Sequence, residues 1–206
     1  MSTTDRWATF DCYGTLIDWD GGLRRALGSD DLLVRYHELE PQVQAESPGS
    51  SYRDVMKEVA RRLGLDDPDA PARSLPAWEP FPEVRPALEE ARARGWKLAI
   101  LSNTDADFME ASMERIGVPF ELAIVASEIG SYKPAYGHWL AFEREVGRPP
   151  DVHVAASHFH DIVPATELGL PNIWINREGE HAEPRPTREL PDLTDLADTL
   201  DALVAA

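Results

Sequence analysis

The arrangement of apolar residues along the chain predicts short buried strands that alternate with helices. Apolar runs of strand-like length and composition occur at 7–10, 97–101, 122–126, 152–156 and 172–175. Segments with helical spacing occur at 83–94, 106–116, 134–146, 162–168 and 193–204. Strands and helices in alternation favour parallel pairing with right-handed crossovers. The pattern therefore predicts an α/β fold with a doubly wound parallel sheet, that is, a Rossmann-like core.

A purely helical block interrupts this alternation directly after the first strand. From 19 to 65 the apolar residues follow helical spacing, and Pro41 and the 47–51 segment break the block into pieces. A proline-rich connector at 66–82 leads back to the alternating part. We therefore predict a core domain of residues 1–16 and 83–206, with a helical cap domain of residues 17–82 inserted after the first strand. The polar, proline-rich segment 177–191 is predicted to be a surface loop.

Composition and charge narrow the classes of partner. Of the 206 residues, 43% are hydrophobic and 28% are charged, as in an ordinary soluble globular protein. The formal net charge of -17 disfavours binding to nucleic acid and to anionic membrane surfaces, and an anionic substrate would need local cations. Cys12 is the only cysteine, the N-terminus has no signal-like pattern, and no apolar run approaches membrane-spanning length. We therefore expect a cytoplasmic protein.

Polar residues follow several of the predicted strands. Asp11 follows the first strand, Ser102 and Asn103 follow the second, and Lys133 and Asp161 lie after the third and fourth. Because the carboxyl ends of parallel strands meet at one edge of a sheet, these side chains are expected to lie together. Each has an ordinary alternative, since Asp, Ser and Asn cap helices or form turns and a loop lysine is solvated. Their joint occurrence at one edge favours a site that binds or reacts.

The predicted core is covered from end to end by four segments that match a known pattern: FDCYGTLIDWD, KLAILSNTD, SYKPAYGHW and VAASHFHDIVPATELGLPNIWINR. In these segments the chain resembles the haloacid dehalogenase superfamily, and within it the (S)-2-haloacid dehalogenases, also called type II. The resemblance implies a hydrolase that cleaves the carbon–halogen bond of a short 2-haloacid through a covalent aspartyl ester, with no metal or other cofactor. It also implies a small anionic substrate and, by family analogy alone, a homodimer.

The resemblance implies a role for each polar residue at the strand ends. Asp11 would be the nucleophile that attacks carbon and becomes the ester. Lys133 would form an ion pair with Asp11 and offset the charge of an anionic substrate. Thr15 and Ser102 would help to bind the substrate carboxylate. Asp161 would place or activate the water that hydrolyses the ester.

Further substrate-binding residues follow from the same resemblance. Asn103 would face the departing halide. Arg35 aligns with the cap arginine that pairs with the substrate and receives the halide. Trp139 falls on an aromatic position near the site, six residues after the lysine. The cap holds other arginines, which we rank below Arg35: Arg24, Arg25 and Arg53.

Tyr13 bears on the choice between a dehalogenase and a phosphatase. Superfamily phosphatases place a second aspartate two residues after the nucleophile, where it protonates the leaving alkoxide. A halide leaves as a stable anion and needs no proton, and Tyr13, with an unperturbed pKa of about 10, is a poor substitute for aspartate. Asp161 has no second acid in its motif to help hold Mg²⁺, which prefers several hard oxygen ligands. We therefore predict a metal-independent dehalogenase, with Tyr13 among the substrate-binding residues.

The segment before Asp161 departs from the dehalogenase pattern. The family's water-handling Ser and Asn fall on Ala156 and His158 in this chain. Ala156 offers no side-chain hydrogen bond, whereas His158 is a candidate base for the hydrolytic water. These changes leave three alternatives open: a Mg²⁺-dependent phosphatase acting on a small phosphate ester, a sister subgroup that cleaves another carbon–heteroatom bond, and a catalytically weak binding protein with the same fold.

Overall fold

Six parallel strands form one sheet in the computed structural model, which describes residues 5–205. They are β1 (Arg6–Phe10), β2 (Trp96–Ser102), β3 (Leu122–Val125), β4 (Val152–Ala155), β5 (Asn172–Ile175) and β6 (Arg188–Leu190). Their spatial order is β3-β2-β1-β4-β5-β6. The predicted doubly wound parallel sheet is therefore confirmed. The predicted core also includes residues 1–4 and 206, which lie outside the described residues.

Helices fill the connections between these strands. Those between β1 and the next core helix are α1 (Trp19–Leu27), α2 (Asp30–Glu46), α3 (Tyr52–Leu63) and α4 (Ala70–Ser74). Those that belong to the alternating part are α5 (Val84–Ala93), α6 (Ala106–Ile116), α7 (Ala126–Ile129), α8 (Gly137–Val146), α9 (Val163–Glu167) and α10 (Leu196–Val204). Within the described residues, no helix is long and apolar enough to cross a membrane.

The central strand β1 marks the point where the sheet changes direction. It pairs with β2 on one side and with β4 on the other. Its residues from Trp7 to Phe10 are buried, because helices cover both faces of a parallel sheet and its strands become continuous apolar runs. In open α/β sheets, ligands bind at the carboxyl ends of the strands beside such a switch point. The fold therefore predicts a ligand site at the residues that follow β1, β2 and β4.

The helices α1 to α4 form a cap that leaves and re-enters the core at one place. The Asp18 amide donates to the Glu79 carbonyl at 2.9 Å, and the Phe81 amide donates to the Leu16 carbonyl at 3.0 Å. These two hydrogen bonds join the segment that leads from the core into the cap to the segment that returns from it. A second tie comes from Asp105, before α6, whose carboxylate accepts from the first two backbone amides of α3 at 2.8 and 2.9 Å. The cap is thus attached to the core at two places, at the chain connection after β1 and at the residue before α6.

Three local predictions were wrong. The segment 177–191 is not entirely a loop, because β6 adds to the sheet edge beside β5. The Asn172 backbone amide donates to the Thr187 hydroxyl and the Thr187 amide donates to Asn172 Oδ1, each at 3.1 Å, beside this edge. The exposed sequence Arg-Glu-Leu has no apolar run to signal a strand. Helix α8 begins at Gly137 instead of residue 134, and α10 begins at Leu196 instead of residue 193. A π-helical turn at His158–Ile162 precedes α9.

Candidate active site

Asp11 lies directly after β1 and is held on both sides of its carboxylate. Its backbone amide continues the ladder by donating to the Val154 carbonyl of β4 at 3.0 Å. Oδ1 accepts from Lys133 Nζ at 2.9 Å, and Oδ2 accepts from the Thr15 hydroxyl at 2.8 Å. The residue is only 7% exposed. The carboxylate therefore has one orientation, facing the open end of the sheet.

The ammonium of Lys133 connects three strand ends. Nζ donates to Asp11 Oδ1 at 2.9 Å, to the Leu101 carbonyl of β2 at 2.8 Å and to Asp161 Oδ1 at 2.6 Å. An ammonium has three N–H groups, so all of them are used. Burial lowers the pKa of Lys133, but the two carboxylates outweigh it and leave the pKa above its usual value. The Asn103 amide fixes the lysine backbone through bonds of 2.7 and 3.0 Å.

Asp161 shares the lysine but keeps one oxygen free. It lies in the π-helical turn after β4, and its Oδ1 accepts from Lys133 and from His153 Nε2, the latter at 3.0 Å. Its Oδ2 is buried and has no partner within the described residues. Burial alone would raise the pKa of Asp161, but Lys133 and His153 lower it to about 2. For Asp11, burial and the nearby Asp161 raise the pKa against the opposing effect of Lys133.

His153 is a site residue that the sequence analysis missed. It is fully buried in β4, with Nδ1 2.9 Å from the Thr9 hydroxyl and Nε2 facing Asp161. Because a carboxylate can only accept, Nε2 carries the proton, and in the neutral ring the Thr9 hydroxyl donates to Nδ1. The available signal was a histidine inside the otherwise apolar strand Val-His-Val-Ala. Its role is to orient Asp161.

A cavity of about 680 Å³ lies between the cap and these strand ends. Ser102 is 1% exposed, and its hydroxyl has no hydrogen-bond partner within the described residues, so it is free to donate to a ligand. The structure brings most of the predicted site residues to the cavity wall: Asp11, Tyr13, Ser102, Asn103, Lys133, His158 and Asp161.

Two of these lining residues are engaged elsewhere through their polar atoms. The Tyr13 hydroxyl is 2.9 Å from the Ser112 hydroxyl on α6, and burial raises the pKa of Tyr13 far above its usual value. Its ring, not its hydroxyl, faces the cavity. His158 Nε2 is 2.9 Å from the Pro184 carbonyl, which can only accept, so Nε2 is the donor. In the neutral ring, Nδ1 then holds the free lone pair.

Three predicted residues do not line the cavity. Arg35 is exposed and lies outside the cavity wall, because the inward face of α2 is set by Leu33, Tyr36 and Glu40. Trp139 is 3% exposed and packs against the His153 ring, with 5.2 Å between the ring centroids, so it supports the site from behind. The third residue is Thr15.

Thr15 is fully buried, and its hydroxyl is used within the protein. It donates to Asp11 Oδ2 and accepts from the Ala156 backbone amide, each at 2.8 Å. A hydroxyl has a single proton to donate, so none remains for a substrate carboxylate. Thr15 therefore orients the Asp11 carboxylate, and the backbone amide of Ala156 holds the Thr15 hydroxyl in place.

The cap side of the cavity carries polar residues that the sequence analysis did not select. Arg24 lines it in place of Arg35. Glu40 is 8% exposed and also lines it; burial raises the pKa of Glu40 to about 7, while Tyr52 and His37 oppose this increase. The sequence pattern did not identify Arg24 and Glu40, because it does not show which face of each cap helix packs against the core.

Comparisons with known proteins agree on one family. A family model for haloacid dehalogenase-like hydrolases matches residues 6–156. An (S)-2-haloacid dehalogenase of Pseudomonas sp. (strain YL) is 32% identical over 134 residues, which are 61% of this chain and 57% of that protein. The match thus spans little more than half of the dehalogenase. A glyceraldehyde 3-phosphate phosphatase of Methanopyrus kandleri is 27% identical over 187 residues, 84% of this chain and 78% of that protein.

Solved structures give the same fold over nearly the whole chain. The L-2-haloacid dehalogenase RSc1362 superimposes with a TM-score of 0.85 at 24% identity, covering 97% of this chain and 100% of that one. The L-2-haloacid dehalogenase of Xanthobacter autotrophicus with chloropropionic acid covalently bound gives a TM-score of 0.83 at 19% identity, covering 96% and 99%. At these identities the similarity establishes the architecture.

Replacing Glu40 should reveal the cost of its burial. Folding raises the pKa of Glu40 from 4.5 to about 7, so between these values the folded state holds a proton that the unfolded state has lost. Stability therefore falls as the pH rises through this window. Relative to wild type, Glu40→Gln should gain about 2–3 kcal/mol of unfolding free energy between about pH 5 and about pH 8. Urea unfolding measures this, with the exposed Glu38→Gln as control; a difference independent of pH would contradict it.

Proposed function

The chain belongs to the haloacid dehalogenase-like hydrolase family, and on that basis we propose that it hydrolyses the carbon–halogen bond of a short 2-haloacid through an ester on Asp11. The observation that carries the proposal is the carboxylate of Asp11, fixed by Lys133 at 2.9 Å, in a cavity where the residue two positions later provides no acid. That residue is Tyr13, whose hydroxyl is engaged with Ser112. Such a site suits a leaving group that needs no proton.

In the first step, an Asp11 carboxylate oxygen attacks the carbon that carries the halogen. An oxygen–carbon bond forms, the carbon–halogen bond breaks, and the halide leaves with the electron pair. Lys133 and Thr15 hold the nucleophile in one orientation, which lowers the entropic part of the barrier. The free hydroxyl of Ser102 and the guanidinium of Arg24 are the groups that receive the substrate carboxylate.

In the second step, water attacks the Asp11 carbonyl carbon of the ester. Asp161 Oδ2 accepts one water proton as a hydrogen bond, because this oxygen is buried and otherwise unpartnered. A carboxylate with a pKa of about 2 is a weak base, so Asp161 holds the water without deprotonating it. His158 Nδ1 takes the other proton. The ester bond to Asp11 then breaks, and the protonated His158 returns its proton to the departing alkoxide, so that the 2-hydroxyacid leaves as an alcohol. Asp11 releases the remaining water proton to solvent and returns to its carboxylate.

The donor set at the strand ends fits a resident Mg²⁺ poorly. Mg²⁺ requires nearly octahedral oxygen coordination and usually draws on carboxylates. Here Lys133 occupies Oδ1 of both Asp11 and Asp161, and Thr15 occupies Oδ2 of Asp11. Among residues 5–205, no group of three or more His, Cys, Asp or Glu side chains is placed to hold a metal ion. We therefore propose that the reaction needs no metal.

The alternative is a phosphatase that acts on a small phosphate ester. The observation in its favour is the similarity to the Methanopyrus kandleri phosphatase, which covers 84% of this chain. A phosphatase must protonate a leaving alkoxide, and the residue placed for that task is Tyr13. Burial raises its pKa, which makes the hydroxyl a weaker acid still. The dehalogenase is therefore the better-supported proposal.

Removal of divalent ions distinguishes these two functions. Halide release from 2-haloacids should be unchanged in EDTA, because Lys133 already supplies the positive charge between the two carboxylates. Halide and inorganic phosphate are measured in parallel, with 2-chloropropionate and a panel of phosphate esters as substrates. Phosphate release that EDTA abolishes and Mg²⁺ restores, with no halide released, would replace the dehalogenase proposal by the phosphatase.

His158→Ala should stall the second step. Alkylation of Asp11 does not involve His158, whereas ester hydrolysis does, so the substrate-derived group should accumulate on the protein. Mass spectrometry of the peptide that contains Asp11, taken after one turnover, detects this ester. The exposed His181→Ala is the control and should turn over normally. Normal turnover of His158→Ala without a trapped ester would show that His158 is not the base.

Arg24 and Arg35 provide a test of the cap cation. Arg24 lines the cavity and, among residues 5–205, forms its ion pair with exposed Asp30 alone, so it is able to turn toward a ligand. Arg24→Ala should lower kcat/KM on 2-chloropropionate about 10- to 100-fold, the range expected for one hydrogen bond to a charged group. Arg35→Ala should change it little. The opposite ranking in steady-state kinetics would show that α2 presents a different face during turnover.

A further inference from the structure

The face of α2 that borders the cavity is polar, and the proposed reaction uses none of it. His37, Glu40 and Gln44 lie three and four residues apart, so they share one face of the helix, and all three line the cavity. Glu40 is 8% exposed and Gln44 is 7% exposed. A helix that only packed against the core would place apolar residues here. We call these three residues the cap polar face.

Glu40 lies beside Tyr52, which opposes the increase that burial causes in the pKa of Glu40. The Tyr52 hydroxyl accepts from Trp19 Nε1 at 3.1 Å, so its own proton is free for a neighbouring acceptor. Within residues 5–205, the Gln44 amide makes no side-chain hydrogen bond although the residue is buried in the cavity wall. The Gln44 amide is open to the cavity, where a ligand can take the place of water as its hydrogen-bond partner. Polar side chains of Glu40 and Gln44 that face a cavity are typical of a binding site.

The charges around the cavity indicate which ligand group this site receives. Every cation that lines the cavity is already paired with a carboxylate: Lys133 with Asp11 and Asp161, Arg24 with Asp30, Arg177 with Glu83 and, when it is protonated, His37 with Asp20. The carboxylates that line it are more numerous: Asp11, Asp18, Asp20, Glu40, Asp161, Glu178 and Glu180. The excess negative charge favours a positively charged ligand group on the cap side.

We propose that Glu40 and the Gln44 carbonyl oxygen bind an ammonium group of the substrate, so that this enzyme acts on short 2-haloacids that also carry an amino group. The proposal deepens the proposed function and rests on it for the reaction at Asp11. The substrate carboxylate then faces Ser102 and Arg24, and the ammonium faces the cap polar face. A cavity of about 680 Å³ has room for both ends.

A pair of unreactive product analogues tests the ammonium site without turnover. The two ligands, 4-amino-2-hydroxybutyrate and 2-hydroxypentanoate, have the same number of heavy atoms and differ by an ammonium in place of a methyl group. Calorimetry should give a dissociation constant about tenfold or more lower for the amino compound, as one charge-assisted contact provides. Glu40→Gln should remove this preference, and Glu38→Gln, exposed on the same helix, should keep it.

Equal or weaker binding of the amino compound to the wild type would overturn the proposal, as would a preference that survives in Glu40→Gln. Urea unfolding establishes that the variant is folded. Halide release from 2-chlorobutyrate and from 4-amino-2-chlorobutyrate is measured separately. Halide release without the binding preference refutes the ammonium site and leaves the dehalogenase proposal standing. The binding preference without halide release from either compound supports the ammonium site and refutes the dehalogenase.

Discussion

The ammonium of Lys133, held between two buried carboxylates, is the interaction on which the site depends. Its three hydrogen bonds end on Asp11 after β1, on Leu101 in β2 and on Asp161 after β4. Burying one cation with two anions costs desolvation energy, and removal of the cation would leave two uncompensated negative charges. The sheet order supplies the geometry, because β1 lies between β2 and β4 and all three strands point the same way.

That dependence explains why the centre of the site was predictable from the sequence. Parallel strands alternating with helices must present their carboxyl ends on one side, so Asp11, Ser102, Lys133 and Asp161 were expected together. That prediction does not depend on how any helix is rotated about its axis. His153 was not predicted, because a single histidine in an apolar strand forms no spacing pattern that would indicate a site residue. Its contact with Asp161 depends on the π-helical turn that follows β4, which has no sequence signal either.

The periphery of the site was less predictable, for a different physical reason. Alignment placed Arg35 at the substrate, but side chains one residue apart on a helix point about 100° apart. The docking of α2 is set by buried Leu33, Tyr36 and Val43, and it exposes Arg35 and turns Glu40 inward. Trp139 likewise depends on how α8 meets the sheet. The edge strand β6 was missed because its exposed sequence has no apolar run, although it pairs with β5 in parallel register.

The core and the cap therefore carry separable properties. The core fixes the Asp11 carboxylate, its partner Lys133 and the free Oδ2 of Asp161, which in the proposed reaction serve any small electrophile that reaches Asp11. In our proposal, the cap polar face determines which other group that molecule must carry. A net charge of -17 repels a simple haloacid anion at every approach to the cavity. A zwitterion has no net charge, so this repulsion largely vanishes, and its ammonium end is drawn toward the acidic cap side. The overall charge of the protein and the local charge of its cavity thus favour the same class of substrate.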